Sequence, residues 1–274
     1  MLAQTTETKT GEDSFLILER VLHSEAIIAL IKGQLLAIRV RHYYPENFCQ
    51  RVQERLSSEE RMGVYSTIGA EEIGRDRLSY YETHNDPLHW QQYYAQAGYN
   101  IREIREIFDP YYSPIDRLRL NLDEVWPAGA HLENIDGLPM FVGLTRLLKE
   151  GSYIFPHNDN IQEDSNFNPR AREIRIQLAA NVYLNMPESG GSLSLWDASI
   201  LPEKSSHFRR QDGYGFDPEK IGPPKLEIKP ETGDLILFNS RYLHSVSRVG
   251  VGGRLSSSCF IGFRSFNHPL SYWS

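Results

Sequence analysis

The sequence predicts a mainly β fold with an α-helical front, the β part closing as a sandwich or jelly roll. Three observations carry this expectation. Residues 141–263 break into about eight short β-rich runs separated by Gly, Pro and Asn turns. Helices of crossover length, which a parallel sheet needs, do not intervene between those runs. Ahead of Trp126-Pro127 the apolar residues instead recur every three to four positions, the period of one helix face.

Taken in order, residues 15–18 and 35–40 read as strands around a helix near 24–32, with Ser24 as its N-cap. Phe48, Val52 and Leu56 recur every four residues and predict a helix over 45–56. Residues 76–125 hold two or three helices: Ile101, Ile104 and Ile107 mark one face, and Asp109-Pro110 stops that run. The β-rich runs follow at 141–148, 153–155, 174–184, 191–196, 226–228, 234–238, 244–249 and 254–263. Residues 199–224, rich in Gly, Pro and charge, are too long for a hairpin turn and predict an excursion loop, a candidate lid. The expected organisation is a flexible tail over 1–13 and one domain over 14–274. Its helical support spans 14–126 and its β core 127–274.

Composition narrows the function classes. The chain has 274 residues, 29 Lys+Arg against 36 Asp+Glu, and a net charge of -7. That acidic balance opposes a nucleic-acid binder, which needs clustered cations to release counterions. The N-terminal segment lacks the apolar run of a secretory signal, and the chain lacks the roughly 18–20 apolar residues that span a bilayer. Cys49 and Cys259 lie far apart and match neither a disulfide framework nor a thiolate metal site, which fits a reducing cytoplasm. Any metal must then use nitrogen and oxygen ligands.

Such ligands are present. His157-Asn158-Asp159 is followed by His244 eighty-seven residues later and by Arg254 ten residues beyond that. Non-haem iron(II) is held by two imidazoles and one carboxylate on one octahedral face, leaving adjacent positions for a bidentate co-substrate and dioxygen. On an extended backbone His157 and Asp159 project to one side, because strand side chains repeat with period two. His244 follows the apolar run GDLILF and would arrive from a distant strand. Arg254 opens the next strand after GVGG and offers a fork for the distal carboxylate of a keto-diacid.

The phrases LTRLLKEGSYIFPHND, VYLNMPESGGSLSLW, KPETGDLILFNSRYLHSV and GGRLSSSCFIGF occur in that order over roughly residues 140–265. There the sequence resembles the iron(II)/2-oxoglutarate-dependent oxygenases, and in particular their prolyl-hydroxylase-like branch. The resemblance implies a double-stranded β-helix (jelly roll, cupin-like) with N-terminal helices packed on it. It also implies iron on His157, Asp159 and His244, and 2-oxoglutarate on Arg254. Tyr183 matches a position that in some relatives hydrogen-bonds the co-substrate, and Asn181 shares its face. One departure is Leu148, where such relatives often carry Tyr. The N-terminal half is similar to stand-alone oxygenases of small-molecule and amino-acid metabolism, including carrier-independent halogenases and their hydroxylating relatives. Those halogenases replace the carboxylate of the HxD motif with Gly; Asp159 stands there in this sequence, so hydroxylation is expected. The implied activity consumes O2 and 2-oxoglutarate, releases succinate and CO2, and hydroxylates a free small molecule, an amino acid or related metabolite. Desaturation, cyclisation or halogenation with the same cofactors, or a non-catalytic metal-binding β-barrel, are the alternatives. Homo-oligomerisation is left open.

Other motifs read as structural. A second HND, at His84, Asn85 and Asp86, has polar flanks and Pro87 behind it, the pattern of a turn or of a helix capped by Asp86. Arg248 precedes the GVGG turn and yields to Arg254 as the co-substrate residue. His131, Glu133 and Asn134 read as structural surface, Arg39, Arg41 and His42 as a solvated strand edge, and Cys259 as a small packing residue.

Overall fold

A computed structural model describes residues 8–9, 15–57, 63–64, 73–84, 86–135, 137–165, 168–200, 205–210 and 214–274. In order its elements are β1 (Thr8–Lys9), β2 (Phe15–Glu19), α1 (Ser24–Ile31), β3 (Ala37–Arg41), α2 (Glu46–Ser57), β4 (Gly63–Val64) and β5 (Ile73–Arg75). A 3-10 turn (Tyr80–Thr83) leads into α3 (Pro87–Phe108), α4 (Pro114–Val125), β6 (Ala130–Leu132), β7 (Leu144–Leu148), β8 (Ile154–His157), α5 (Ile161–Asp164) and α6 (Pro169–Arg172). Then come β9 (Ile176–Asn185), β10 (Leu193–Leu195), α7 (Ser205–Phe208), α8 (Pro218–Ile221), β11 (Leu226–Ile228), β12 (Leu235–Asn239), β13 (His244–Val246), β14 (Arg254–Phe263) and β15 (Leu270–Trp273).

Local chemistry explains the helix starts. Asp86 accepts from the backbone N–H groups of Leu88 and His89 while Pro87 occupies the first turn, so the second HND is a helix cap. Ser113 caps α4 in the same way through Asp116, again with a proline behind it. At α1 the cap is one residue earlier than expected: His23 Nδ1 accepts from Ala26 N at 3.3 Å. The buried faces of α3 and α4 include Ile104, Ile107 and Phe108, and Ile115, Leu118 and Leu122. They join one apolar cluster with Leu178, Ala180 and Val182 of β9 and Leu235 and Leu237 of β12. The helical front thus covers the outer face of a sheet.

That sheet runs β1-β2-β3-β12-β9-β14-β7-β5-β4, with β15 on β14 and β6 on β15. A second sheet runs β11-β10-β13-β8. Period-two alternation separates the two faces of β9: Ala179 and Tyr183 pack in a different cluster, with Leu193 and Leu195 of β10, Ile228 of β11, and Ile236 and Phe238 of β12. The second cluster lies between the sheets. Central strands buried on both faces read as unbroken apolar runs, which is why 174–184 and 234–238 are legible as strands.

Several expectations change. Arg39 and Arg41 do not form a solvated edge: β3 is an interior strand between β2 and β12. Arg39 is paired with Asp234 at 2.6 Å and Glu231 at 3.1 Å, and Arg41 with Glu19 and Glu231. Strands β5, β6 and β15 are not expected from the sequence; they are short, or sit in polar surroundings, and are held by pairing with β7, β14 and each other. Within the expected tail, Thr8 and Lys9 pair with Ile17 and Leu16, and residues 1–7 and 10–13 lie outside the described residues. The excursion 199–224 contains α7 and α8; its residues 201–204 and 211–213 lie outside the described ones. Among the described residues no helix is long and apolar enough to cross a membrane.

Glu133 is fully buried and clamped by Arg264 at 2.8 Å and Arg170 at 2.9 Å. Burial would raise its pKa, but the Arg264 guanidinium and the surrounding donors outweigh that and hold it below the usual carboxylate range. Glu133→Ala would leave the Arg264 charge to the exposed carboxylate of Glu173, 3.4 Å away. We expect a loss of about 3–5 kcal/mol in urea unfolding at pH 7, with little change in the denaturant slope.

Candidate active site

β8 and β13 pair antiparallel with His157 opposite His244, which sets their rings 4.1 Å apart. The register then shifts: Val246 faces Ile154, so three steps on β8 match two on β13. Such a bulge re-aims side chains, and Pro156 sits within it, where a missing N–H is tolerated. Both imidazoles are fixed alike. His157 Nδ1 lies 2.8 Å from the Phe155 carbonyl and His244 Nδ1 lies 3.0 Å from the Tyr242 carbonyl, in each case two residues upstream. A carbonyl only accepts, so each Nδ1 carries a proton and each Nε2 is the atom turned toward Asp159.

Asp159 completes the set, but not as a strand residue. β8 ends at His157; the Asp159 backbone N–H donates to the Ser240 carbonyl at 2.8 Å, and Ser240 Oγ returns a 3.4 Å bond. Ser240 lies in the turn between β12 and β13, four residues before His244. One backbone bond therefore ties the segment carrying two of the expected ligands to the segment carrying the third. Asp159 Oδ2 stands 3.4 Å from His244 Nε2 and Oδ1 stands 3.9 Å from His157 Nε2. One ligand atom from each residue falls within 4.8 Å of the others.

The electrostatics suit a divalent cation. Burial, then the neighbouring His244, pushes the His157 pKa down to about 4. Burial alone would raise that of Asp159, yet His157, His244 and Arg146 outweigh it and bring it down to about 2. At neutral pH His157 is neutral and the carboxylate ionised, the protonation states a metal takes. Two oriented Nε2 atoms and one carboxylate, with no thiolate nearby, match the donor set of non-haem iron(II). The free cysteines, Cys49 and Cys259, are buried elsewhere.

Arg254 is only 4% exposed. Its Nη2 donates to Tyr183 Oη at 3.2 Å, while Nε and Nη1 are buried with no hydrogen-bond partner. Leaving such donors open costs on the order of 1–3 kcal/mol each, more for a charged group, so this guanidinium fits an anionic ligand. Tyr183 is fully buried, and burial raises its pKa. Asn181 is half-buried on the same face of β9, opposite Ser258 of β14. Leu148 lies opposite Arg254 and packs with Val246 and Val249, an apolar wall beside the charge. Gly190, first of the Gly-Gly pair, has φ +67 and bridges to Val249; a Cβ there would lie 1.8 Å from the Arg248 carbonyl.

Of the residues read as structural, Glu133 is not surface but fully buried, because Arg264 and Arg170 neutralise its carboxylate inside the fold, whereas three others behave as read. Arg248 is exposed and donates to the Gly151 carbonyl at 2.6 Å. His131 is exposed, and Cys259 is packed in the main apolar cluster. Sequence reasoning missed other groups. Arg146 on β7 bonds Ser258 Oγ at 2.7 Å, and its signal was a lone cation in the apolar run LTRLL. Tyr214, in the excursion loop, sets its ring 5.2 Å from that of His157 and 6.5 Å from that of Tyr81. A groove of about 460 Å³ lined by Pro156, Ser194, Trp196, Ser245 and Pro223 opens instead on the other side of β8, β10 and β13, away from the imidazoles.

Two facing sheets with an imidazole, a carboxylate and a second imidazole gathered at one point define a β-sheet protein with a candidate metal centre. The protein belongs to the family described as carrier-protein-independent halogenase WelO5, which matches residues 15–274. It is 32% identical over 164 residues to an L-gamma-glutamyl-L-propargylglycine hydroxylase of Streptantibioticus cattleyicolor, covering 58% of this chain and 59% of that protein. It is 28% identical over 151 residues to an L-isoleucine 3(1)-dioxygenase of Pantoea ananatis, covering 51% and 48%. The chain thus spans about half the length of the curated relatives it matches. Its fold is shared with an N-substituted L-amino acid dioxygenase from Burkholderia ambifaria AMMD, at a TM-score of 0.58 and 17% identity over 91% of this chain and 90% of that one.

The depressed His157 pKa makes the metal-free protein acid-sensitive. Between the ordinary value of 6.5 and about 4 the unfolded state binds a proton that the folded state refuses, so stability falls as pH drops through that window. We expect a loss of about 1–3 kcal/mol from this group between pH 7 and pH 4 in the metal-free wild type. His157→Gln should flatten that slope, as read from urea midpoints.

Proposed function

We propose that this protein is an Fe(II)/2-oxoglutarate-dependent dioxygenase that hydroxylates an unactivated C–H bond of a free amino acid or related small molecule. The observation that carries this is the convergence of His157, Asp159 and His244 beside a buried guanidinium, Arg254, with two open donors. Overall, substrate C–H, O2 and 2-oxoglutarate become C–OH, succinate and CO2. When bound, the iron supplies the centre at which O2 and the keto acid react to oxidise the C–H bond.

The remaining work falls to the protein. His157, Asp159 and His244 are the iron ligands, with the two backbone carbonyls fixing the imidazole tautomers. Arg254 takes the distal carboxylate of 2-oxoglutarate. Tyr183 accepts from Arg254 and so keeps its own O–H to donate to the same carboxylate. This replaces the tyrosine that relatives carry at the position of Leu148, whose apolar neighbours keep water from the ion pair. Asn181, two residues along that face of β9 and opposite Ser258, would offer its amide to the same co-substrate. Tyr214 and Tyr81 form the aromatic wall through which the excursion loop covers the site.

The strand arrangement supports a double-stranded β-helix core: β7, β9, β12 and β14 in one sheet face β8, β10, β11 and β13 in the other. We place this core at 127–274 and its support at 14–126, in one oxygenase domain. The names of the two curated relatives, one acting on L-isoleucine and one on a γ-glutamyl amino acid, support the substrate class. Asp159 at the position where the halogenases carry Gly supports hydroxylation over halogenation. Two buried free cysteines are consistent with the cytoplasm.

Anaerobic addition of Fe(II) and 2-oxoglutarate should produce a visible charge-transfer band that is absent in Asp159→Ala and His244→Ala. Arg254→Met should weaken 2-oxoglutarate binding at least about 30-fold, since one partner of a buried charge pair is removed. Absence of the band in the wild type would sink the oxygenase assignment. Succinate release across a panel of free amino acids should be substrate-stimulated and indifferent to chloride; a chlorinated product would overturn the role given to Asp159.

A further inference from the structure

The wall of β14 that faces the opposite sheet carries more than Arg254. Ser256 pairs with Tyr183 of β9 and with Arg146 of β7, so these three side chains share one face. Ser258, two residues on, pairs with Asn181. A buried central strand ordinarily fills such positions with large apolar side chains. Here Ser256 and Ser258, 4% and 3% exposed, leave both room and hydroxyl groups between two cations. The Ser258 hydroxyl donates to the Leu144 carbonyl at 3.2 Å and accepts from Arg146 Nη1 at 2.7 Å. With its own proton committed, Ser258 fixes the plane of the Arg146 fork.

Arg146 lies within electrostatic reach of the metal-facing groups, because its charge acts on both His157 and Asp159. It differs from Arg254 in accessibility: Arg254 is buried, whereas Arg146 is half-buried. A dianion that chelates the metal and ends on a buried fork accounts for Arg254. The second fork stands on the same wall, on the neighbouring strand β7, and is half-buried where Arg254 is buried.

We propose that Arg146 is the carboxylate anchor of the substrate pocket, so that the protein selects small molecules bearing a free carboxylate; this rests on the oxygenase assignment above. A planar guanidinium binds a carboxylate in two parallel bonds and so fixes both position and orientation. An amino acid held at its carboxylate presents the C–H bonds of its side chain to the triad. The corresponding amide or ester, lacking the charge and one acceptor, is bound far more weakly.

The test uses the full-length protein loaded anaerobically with Fe(II) and 2-oxoglutarate, and a panel of L-amino acids paired with their carboxamides. The readouts are the perturbation of the charge-transfer band, which gives a binding constant without turnover, and succinate release in air. In the wild type, an acid that perturbs the band should bind at least about tenfold more tightly than its carboxamide. In Arg146→Gln the acid should weaken about 100-fold and the acid-to-amide ratio should fall to near one, with 2-oxoglutarate affinity within about threefold of wild type. Arg146→Lys, which keeps the charge and loses the fork, should retain part of the preference and serves alone if the Gln variant does not fold. An unchanged acid-to-amide ratio in either variant would overturn the proposal. So would a parallel loss of 2-oxoglutarate affinity, or a wild-type band that no carboxylate perturbs. Absence of the band itself in the wild type would overturn the oxygenase assignment and this proposal together.

Discussion

The pairing of β8 with β13 is the constraint on which the site depends. It sets His157 against His244 across two strands that are far apart in sequence, and the bond from Asp159 N–H to the Ser240 carbonyl closes the same pair of segments from the other side. Everything that brings three donor atoms within reach of one cation is thus backbone geometry. The sheet opposite carries the other half of the chemistry, Arg254, Tyr183 and Arg146, on strands that cannot shift register without turning those side chains out of the interior. The two sheets thus set the imidazole and carboxylate cluster on one side and the guanidinium groups of Arg254 and Arg146 on the other.

Burial of unmatched charge gives the pocket its direction. Asp159 stays ionised because two imidazoles and a guanidinium outweigh its desolvation, while His157 stays neutral because desolvation and its neighbour oppose a proton. Arg254 lies under an apolar cover of Leu148, Val246 and Val249. A folded protein that holds these groups in place has already met the desolvation cost that an anionic co-substrate would otherwise face. The overall charge of -7 conveys none of this, since it does not tell that Arg254 and Arg146 stand on one face of the same sheet.

Much of the architecture was legible because strands are short β-rich runs bounded by Gly, Pro and Asn turns and helix starts carry their own punctuation. The segments 226–228 and 254–263 coincide with β11 and β14, and Asp86 caps α3 as its neighbours Pro87 and Leu88 suggest. The gathering of His157, Asp159 and His244 was legible because they lie in phrases with a known order. What escaped has physical causes. β5, β6 and β15 owe their form to partners rather than to propensity. Arg39 and Arg41 read as surface charges because their partners, Asp234, Glu231 and Glu19, are distant in sequence or unremarkable within it. Arg146 was overlooked because a lone cation in an apolar strand is a weak signal by itself; only the register of β7 against β14 gives it a place on the same face as Tyr183.

The carbonyls of Phe155 and Tyr242 orient the imidazoles, and a carbonyl is common to every residue type. Substitution at either position changes the side chain but leaves the bond that selects the tautomer. The side chains at 155 and 242 are therefore released from holding the imidazoles in place. Such a scaffold lets the walls of the pocket drift while the reactive centre stays the same, a division of labour under which one fold can acquire many substrates without relearning its chemistry.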